Sequence, residues 1–290
     1  MSLPRRIRHQ SGRHALVDGI PFELPVNSEH SPALMVGFSV DLEAARALLP
    51  GNELHPVKLP NGRGVLLVTV IDYRSTDIGK YIEYSIAIGC TRGPAPVSIV
   101  RALALMKRSG TGQYVWDLPV STLVSVKGGK GIWGMPKHQA NLDFHIDGSS
   151  VSSQYDLDGS LCTKIEITAP RVRIPVRNFG AVNWCAFRGM LMKSSIYFSD
   201  SMRVAFLRWA KASFVVGDHP RVAPLRALQI KSRPFFVAWL PDSHGVLDDH
   251  FESWFLTYDS PPSAPPEGLE SVIDLTNDTT WLPAPQAVVR

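Results

Sequence analysis

The chain has 290 residues, of which 44% are hydrophobic and 19% are charged, and it carries a net charge of +4. This balance is typical of a folded soluble protein with a substantial core, and it argues against a disordered chain. Apolar runs fall short of the about 20 residues that cross a bilayer, and no apolar signal-peptide core follows the basic N-terminus. We therefore expect a cytoplasmic protein without a membrane partner, folded as one domain over residues 1–290.

The cysteine and histidine patterns do not favour a metal or cofactor site. The three cysteines are odd in number and far apart, which disfavours a disulfide framework and a CxxC metal site: Cys90, Cys162 and Cys185. The histidines show no ligand-like spacing, so we expect no metal and no cofactor. Basic residues cluster near the N-terminus, but no basic stripe with interleaved aromatics follows, so we expect no nucleic-acid partner.

The first half of the chain combines strand signals with one capped helix. Residues 1–30 lack a period and predict an extended N-terminal arm. Asp41 is suited to cap a short helix that runs through Leu49, before Pro50 and Gly51. Apolar runs rich in Val, Ile and Tyr predict three strands, over 33–40, 64–73 and 81–90.

The second half contains the clearest strand pattern. Residues 139–169 form three alternating runs separated by Asp147-Gly148 and Asp158-Gly159, which are favoured in tight hairpin turns, so we predict an antiparallel meander. Further elements are predicted as helices over 96–108 and 220–228, strands over 235–240 and 254–258, and a C-terminal surface strap over 261–290. The pattern indicates an α+β fold, mainly antiparallel β, whose sheet closes on itself because exposed edges invite aggregation.

Lys137 lies in the segment Gly-Ile-Trp-Gly-Met-Pro-Lys-His-Gln-Ala, which on residue types alone is a Gly-rich loop. A lysine amine attacks a ketone as the free base, and its ordinary pKa of about 10.4 leaves little free base at pH 7. Desolvation by apolar neighbours lowers such a pKa. We therefore expect Lys137 to be buried beside apolar walls if it forms a Schiff base.

Glu83 is the second candidate, because an acid in the apolar run Tyr-Ile-Glu-Tyr-Ser-Ile is costly to bury unless it has a partner. Strand alternation places Tyr81, Glu83 and Ser85 on one face, which is suited to the polar interior of a barrel. A solvent-facing glutamate is the alternative on sequence pattern alone.

Two stretches carry a resemblance to a known family. The string Leu118-Pro119-Val120, then Gly129 to Lys137, then Ala140-Asn141-Leu142, together with the Gly-Lys-Tyr-Ile-Glu run at 79–83, resembles the acetoacetate decarboxylase family. The resemblance implies that Lys137 is the Schiff-base lysine and that Glu83 is an active-site carboxylate. It also implies a closed β-cone or double barrel, a homo-oligomer and a small keto-acid substrate.

Other candidate residues follow from the neighbourhood of these motifs. His138 stands where the decarboxylases typically have a second lysine, so it contributes a weaker positive field and could instead move protons. Trp133 and Met135 are candidate apolar walls, Tyr81 shares the Glu83 face, and Gln113 is candidate pocket lining. The family's substrate-binding arginine has no counterpart near Ser31, so Arg171 and Arg173 are candidates to bind the substrate carboxylate.

Three functions are compatible with these residues. The first is a Schiff-base lyase that decarboxylates a small β-keto acid through an imine on Lys137. The second uses the same imine for aldolase, dehydratase or cyclase chemistry on an α-keto acid, which the missing arginine and His138 favour. The third is a non-catalytic barrel that binds a small ligand.

Overall fold

The computed structural model describes residues 13–93, 98, 100, 102, 110–249 and 251–258. The strands are β1 (Arg13–Val17), β2 (Ile20–Leu24), β3 (Val26–Val40), β4 (Leu54–Pro56), β5 (Gly64–Tyr73), β6 (Ser75–Thr76), β7 (Tyr81–Arg92), β8 (Thr111–Val120), β9 (Lys137–Gln139), β10 (Asn141–Leu142), β11 (His145–Asp147), β12 (Ser150–Leu157), β13 (Ser160–Thr168), β14 (Val172–Phe187), β15 (Met190–Phe206), β16 (Ala212–Val216), β17 (Phe236–Leu247) and β18 (Glu252–Phe255). The helices are α1 (Leu42–Ala47), α2 (Leu123–Trp133) and α3 (Pro224–Ala227), with 3-10 turns at Leu207–Trp209 and Pro220–Val222.

The largest sheet closes into a barrel of seven strands. Its strand order is β4-β7-β5-β3-β17-β15-β14-β8-β9, and an additional pairing of β7 with β8 closes the ring of seven strands from β7 to β8. Most neighbours are antiparallel, whereas β8 pairs in parallel with β14 at one end and with β9 at the other. The prediction of a mainly antiparallel α+β fold that closes on itself is confirmed.

A second sheet is built from the meander. Its order is β10-β12-β13-β16, with β11 also paired to β12, and the predicted turns at Gly148 and Gly159 have the positive φ angles that glycine adopts easily. Buried side chains of this sheet, including Tyr155 and Ile165, share one hydrophobic core with barrel residues such as Tyr84 and Trp184. The core therefore lies between the small sheet and the outer face of the barrel.

The observed elements differ from the predicted ones in places. Asp41 caps α1 as predicted, since its side chain accepts a hydrogen bond from the Ala44 backbone N–H at 2.9 Å. The described part of the predicted extended arm contains a hairpin, which β1 and β2 form over residues 13–24. Most of the predicted helix over 96–108 and all of the strap over 261–290 lie outside the described residues.

Helix α2 was not predicted, because its glycines are poor helix formers. The helix begins at the N-cap Thr122, whose side chain accepts from the Ser125 N–H, and it ends at Gly134 with a left-handed φ of 64°. Added Cβ atoms would come within 2.8 Å of Phe22 at Gly128 and within 2.6 Å of Val17 at Gly131. Close packing against the β1–β2 hairpin thus requires the glycines and overrides their helix propensity.

The part of the chain described above contains no helix with the length and apolar character that a bilayer crossing demands.

Candidate active site

Lys137 extends from the first residue of β9 into the interior of the barrel. Met135 and Pro136 separate it from the end of α2, and its strand pairs with β8 so that Lys137 lies opposite Leu118. The side chain is only 4% exposed. The chain reversal after Gly134 therefore directs a lysine amine into the barrel, as the Schiff-base hypothesis requires.

The Lys137 amine has two polar partners and one aromatic neighbour. Its Nζ lies 2.8 Å from Oε2 of Glu83 and donates to Oγ of Ser125 at 2.9 Å. The Tyr81 ring centroid lies 5.2 Å from Nζ. The sequence pattern did not indicate Ser125, because it belongs to α2, and the glycines of α2 argued against a helix there. The amine is thus held by groups from β7 and α2.

The Glu83 carboxylate changes the electrostatics expected for Lys137. Burial lowers the pKa of Lys137, but the charge and hydrogen bond of Glu83, with a smaller contribution from Tyr81, raise it more, so the pKa lies above its ordinary value. Burial also raises the pKa of Tyr81 to about 12, although Lys137 opposes that shift. The expectation of a lysine pKa lowered by desolvation is wrong for the resting site, because a carboxylate contacts the ammonium group.

Two tyrosines form an aromatic wall beside this pair. The rings of Tyr73 and Tyr81 stack with centroids 4.5 Å apart, and β5 and β7 place the two residues directly opposite each other. Both side chains are buried, and burial, followed by the charge of Glu83, raises the pKa of Tyr73 well above its usual range. Tyr73 was also missed, although the strand alternation of β5 and β7 could have identified it. Both phenols remain neutral at physiological pH.

A cavity of about 460 Å³ fills the barrel interior next to Lys137. Its lining includes Tyr81, Glu83, Met135 and Gln113, as expected from the sequence. Gln113 Nε2 donates to Oδ1 of Asn183 at 3.0 Å. Lys137 and Glu83 are the only charged side chains among the described residues that line this cavity.

His138 and Trp133 do not take the positions expected of site residues. Adjacent residues of a strand point to opposite faces, so His138 points away from the cavity when Lys137 points into it. His138 Nε2 lies 3.0 Å from Oδ1 of Asp117, in a buried polar cluster outside the cavity. Trp133 is buried, and its Nε1 donates to the Asp248 carbonyl at 3.0 Å. Neither side chain lines the cavity, which corrects the predicted catalytic and substrate-binding roles.

Arg171 and Arg173 also fail to reach the cavity. Both side chains are exposed near the start of β14, and neither contributes to the lining. The predicted carboxylate contact is therefore wrong for these two residues. They follow the alternating pattern of an exposed strand end, which the sequence analysis could not distinguish from a barrel interior.

One set of potential metal ligands lies outside the cavity. Ligand atoms of His30, Asp242 and His244 all lie within 4.8 Å of one another, and the three residues are exposed. Spacing along the sequence could not reveal this set, because β3 and β17 bring together residues that are more than 200 positions apart.

Gly129 leaves room for the lysine side chain. A Cβ atom at this position would lie 2.4 Å from Cδ and 2.7 Å from Cε of Lys137, far inside van der Waals contact. We expect Gly129→Ala to displace the amine and to slow adduct formation on Lys137 by about 100-fold, the scale of a misplaced catalytic group. The rate of borohydride trapping with acetone measures this effect. Gly148→Ala strains a left-handed turn far from Lys137, where the added Cβ meets no atom, so it controls for a general loss of stability. Equal rates in both variants would contradict the expectation.

The comparisons with known proteins agree with this fold. The family described as Acetoacetate decarboxylase (ADC) matches residues 6–177, whereas no curated protein matches significantly. The acetoacetate decarboxylase structure from Legionella pneumophila aligns with a TM-score of 0.58 at 12% identity, covering 86% of this chain and 90% of that chain. The enduracididine biosynthesis enzyme MppR complexed with pyruvate aligns with a TM-score of 0.53 at 14% identity, covering 79% and 90%.

A third structure, an acetoacetate decarboxylase-like enzyme from Sphingomonas wittichii RW1, aligns with a TM-score of 0.52 at 15% identity, covering 80% of this chain and 94% of that chain. These likenesses confirm the predicted fold of the acetoacetate decarboxylase type. The family match extends over more than half of the 290 residues. The chain therefore belongs to the acetoacetate decarboxylase family.

Proposed function

We propose that the protein is a carbon–carbon lyase that decarboxylates a β-keto acid through an imine on Lys137. The observation that carries the proposal is a lysine amine that is buried in an apolar cavity and lies 2.8 Å from a carboxylate. An imine is an electron sink, and it accepts the electron pair that is released when a neighbouring carbon–carbon bond breaks. A buried lysine with a single carboxylate partner is suited to form one.

The first step is a proton transfer within the ion pair. The raised pKa keeps Lys137 protonated in the resting site, so the amine becomes a nucleophile when its proton passes to Glu83. The amine nitrogen then attacks the substrate carbonyl carbon, and the protonated Glu83 returns the proton to the hydroxyl that leaves as water. Ser125 holds the nitrogen in place during these steps.

Bond cleavage follows from the protonated imine. The carboxylate of a β-keto acid leaves as carbon dioxide, and the electron pair of the broken bond moves to the iminium nitrogen, giving an enamine. A proton is then added to the enamine carbon, and water hydrolyses the imine to release the ketone and Lys137. The apolar lining favours the loss of carbon dioxide, because the substrate carboxylate is less stable in an apolar cavity than in water.

The alternative is aldolase, dehydratase or cyclase chemistry on an α-keto acid through the same imine. It is favoured by a specific observation: no arginine lies among the described residues of the cavity lining. The similarity to MppR, whose structure is complexed with pyruvate, supports this alternative. A non-catalytic ligand-binding barrel fits less well, since it gives no reason to bury the Lys137–Glu83 pair.

Borohydride trapping tests the proposal. The protein is incubated with acetoacetate or with pyruvate, the imine is reduced, and the mass increment is located by peptide mapping. We expect an adduct on Lys137 and release of carbon dioxide from acetoacetate. An adduct with pyruvate without release of carbon dioxide supports the alternative chemistry. The absence of an adduct with any carbonyl compound refutes both enzyme hypotheses.

Glu83→Gln is expected to separate the two roles of the carboxylate. The variant removes the negative charge of Glu83, which is the main factor that counteracts the effect of burial on Lys137. The pKa of Lys137 therefore falls, and the free amine persists to lower pH. The pH midpoint of trapping should therefore shift towards acid. Turnover should nevertheless fall by about 10²- to 10⁴-fold, the usual contribution of a proton-transfer group.

The matched control for this variant is Glu252→Gln. Glu252 pairs with Lys193 through an ion pair that lies outside the cavity lining, so the variant removes an equivalent charge at a different place. Its pH profile of trapping should match that of the wild type. An alkaline shift in Glu83→Gln, or equal shifts in both variants, would refute the assigned effect of Glu83 on the Lys137 pKa.

A further inference from the structure

The cavity is much longer than the reacting end of a small keto acid requires. Glu83 and Gly89 both line it on β7, and six residues of a strand span about 20 Å. Its volume of about 460 Å³ is three times that of an engineered cavity of about 150 Å³ that holds benzene. Most of the space therefore lies beyond the atoms that would react at Lys137.

The lining beyond the Lys137–Glu83 pair is largely apolar. Most of its aliphatic and aromatic members come from six strands of the barrel, and they include Leu34, Val65, Leu67, Phe198, Met202 and Phe236. Among the described residues, no charged side chain lines this part of the cavity. A ligand that extends here gains free energy by burying hydrocarbon and loses it by burying charge.

Several polar side chains interrupt this apolar lining. Four of them donate to backbone carbonyl oxygens: Ser28, Thr76, Thr111 and Ser243. Two other polar places carry the argument. At the first, Thr69 lines the cavity opposite Ser85, and its hydroxyl oxygen is buried without a hydrogen-bond partner. Glu83 is two residues from Ser85 on the same strand, so Thr69 lies about 7 Å along the barrel from the level of Glu83. The second place is the Gln113–Asn183 amide pair, since Gln113 lies opposite Gly89 at the far end.

From these observations we infer that the substrate is a keto acid with a long apolar tail. The inference rests on the proposed imine chemistry and names the substrate class of the same site. The carbonyl carbon lies at Lys137, and rotation about the Thr69 Cα–Cβ bond brings its buried, unpaired hydroxyl to the cavity surface, where it donates to the carboxylate in place of an arginine. The tail occupies the apolar part of the cavity towards Gln113 and Asn183. A long 3-oxo acid has this arrangement of groups.

A series of methyl ketones tests the apolar tail. Borohydride trapping on Lys137 is measured with acetone, 2-pentanone, 2-heptanone and 2-nonanone, which share the reacting group and differ in chain length. Each added methylene should lower the ketone concentration that gives half-maximal trapping by about fourfold until the cavity is filled. This concentration should therefore be at least about 100-fold lower for 2-nonanone than for acetone. If acetone is trapped as well as 2-nonanone, the inference fails while the proposed function stands.

Two variants locate the tail and the carboxylate. Ala181 lines the cavity two residues from Asn183 on β14, so Ala181→Phe should fill the far end and reduce the ratio of 2-nonanone to acetone trapping by at least tenfold. Ile174→Phe, at an exposed position of the same strand, should leave the ratio of 2-nonanone to acetone trapping unchanged.

Thr69→Val tests the carboxylate contact, because it keeps the shape of the side chain and removes the hydroxyl. It should lower the ratio of acetoacetate to acetone trapping by about fivefold to tenfold. Unchanged ratios in both cavity variants overturn the inference.

A binding measurement separates this inference from the imine chemistry. Calorimetric titration of Lys137→Met with 2-nonanone and 2-pentanone reports binding without a nucleophile. Tighter binding of the longer ketone supports the apolar cavity even if the wild type forms no adduct with any ketone, in which case the proposed function alone fails. Equal binding of the two ketones contradicts the inference directly.

Discussion

Lys137→Met is expected to abolish the reducible adduct with every carbonyl compound and to lower turnover to the uncatalysed rate. Methionine has a similar length and fills the same buried space, but it has no amine to attack a carbonyl. Enzymes typically accelerate reactions by about 10⁶-fold or more, so a loss of at least about 10⁴-fold should be measurable. The assays are release of carbon dioxide from acetoacetate and mass analysis after borohydride reduction. An adduct of unchanged amount would show that another lysine is the nucleophile.

The effect of this variant on stability separates a lost nucleophile from a lost fold. Lys137→Met leaves Glu83 in the cavity without its partner, and breaking a buried ion pair in this way costs about 3–5 kcal/mol. Glu83 is 15% exposed and keeps part of its hydration, so we expect a loss at the low end of this range. The double variant Lys137→Met/Glu83→Gln removes both charges and should recover most of the unfolding free energy. It should remain inactive, which a purely structural role of Lys137 does not explain.

The pairing of Lys137 with Glu83 illustrates what the sequence could predict. Strand alternation placed Tyr81, Glu83 and Ser85 on one face, and the resemblance to the family identified both charged residues. Their separation in space is set by β8, which pairs with β7 at Val120 and with β9 at Leu118. Such long-range register is not encoded in any local pattern, so the contact followed from the resemblance and not from periodicity.

The errors have identifiable physical causes. His138 was assigned to the site because it follows Lys137, yet neighbours in a strand point to opposite faces, and alternation could have excluded it once β9 was known. The segment before Lys137 was interpreted as a Gly-rich loop because glycine disfavours helices. Tertiary packing reversed that preference, since Gly129 must admit the Lys137 side chain and Gly131 must admit Val17.

The buried cluster around Asp117 yields a second large expected effect on stability. The Asp117 side chain is 2% exposed, and its Oδ1 accepts from Arg221 Nε at 3.0 Å and from an Arg221 terminal nitrogen at 2.9 Å. His138 Nε2 lies 3.0 Å from the same oxygen, and the Tyr155 hydroxyl donates to Oδ2 at 3.3 Å.

We expect Asp117→Asn to lower the unfolding free energy by about 3 kcal/mol, because it leaves the Arg221 cation without a charged partner. Since 24% of the Arg221 side chain is exposed, the loss should be near the low end for buried pairs. Chemical denaturation measures it.

The pH dependence of this loss follows from the direction of the Asp117 pKa. Burial raises the pKa of Asp117, but His138 and Arg221 lower it more, so the folded pKa lies below the ordinary value of 3.8. A carboxyl group with a lowered folded pKa stabilises the protein fully above its unfolded pKa, and this contribution is lost as the pH falls through the folded pKa. The difference in stability between the wild type and Asp117→Asn should therefore be largest near neutral pH and shrink below about pH 4.

The control is Asp218→Asn, which removes the carboxylate of an exposed pair with Arg226. Its unfolding free energy should match that of the wild type both near neutral pH and below about pH 4. A constant difference for Asp117→Asn across this range would mean that the charge of Asp117 does not stabilise the cluster.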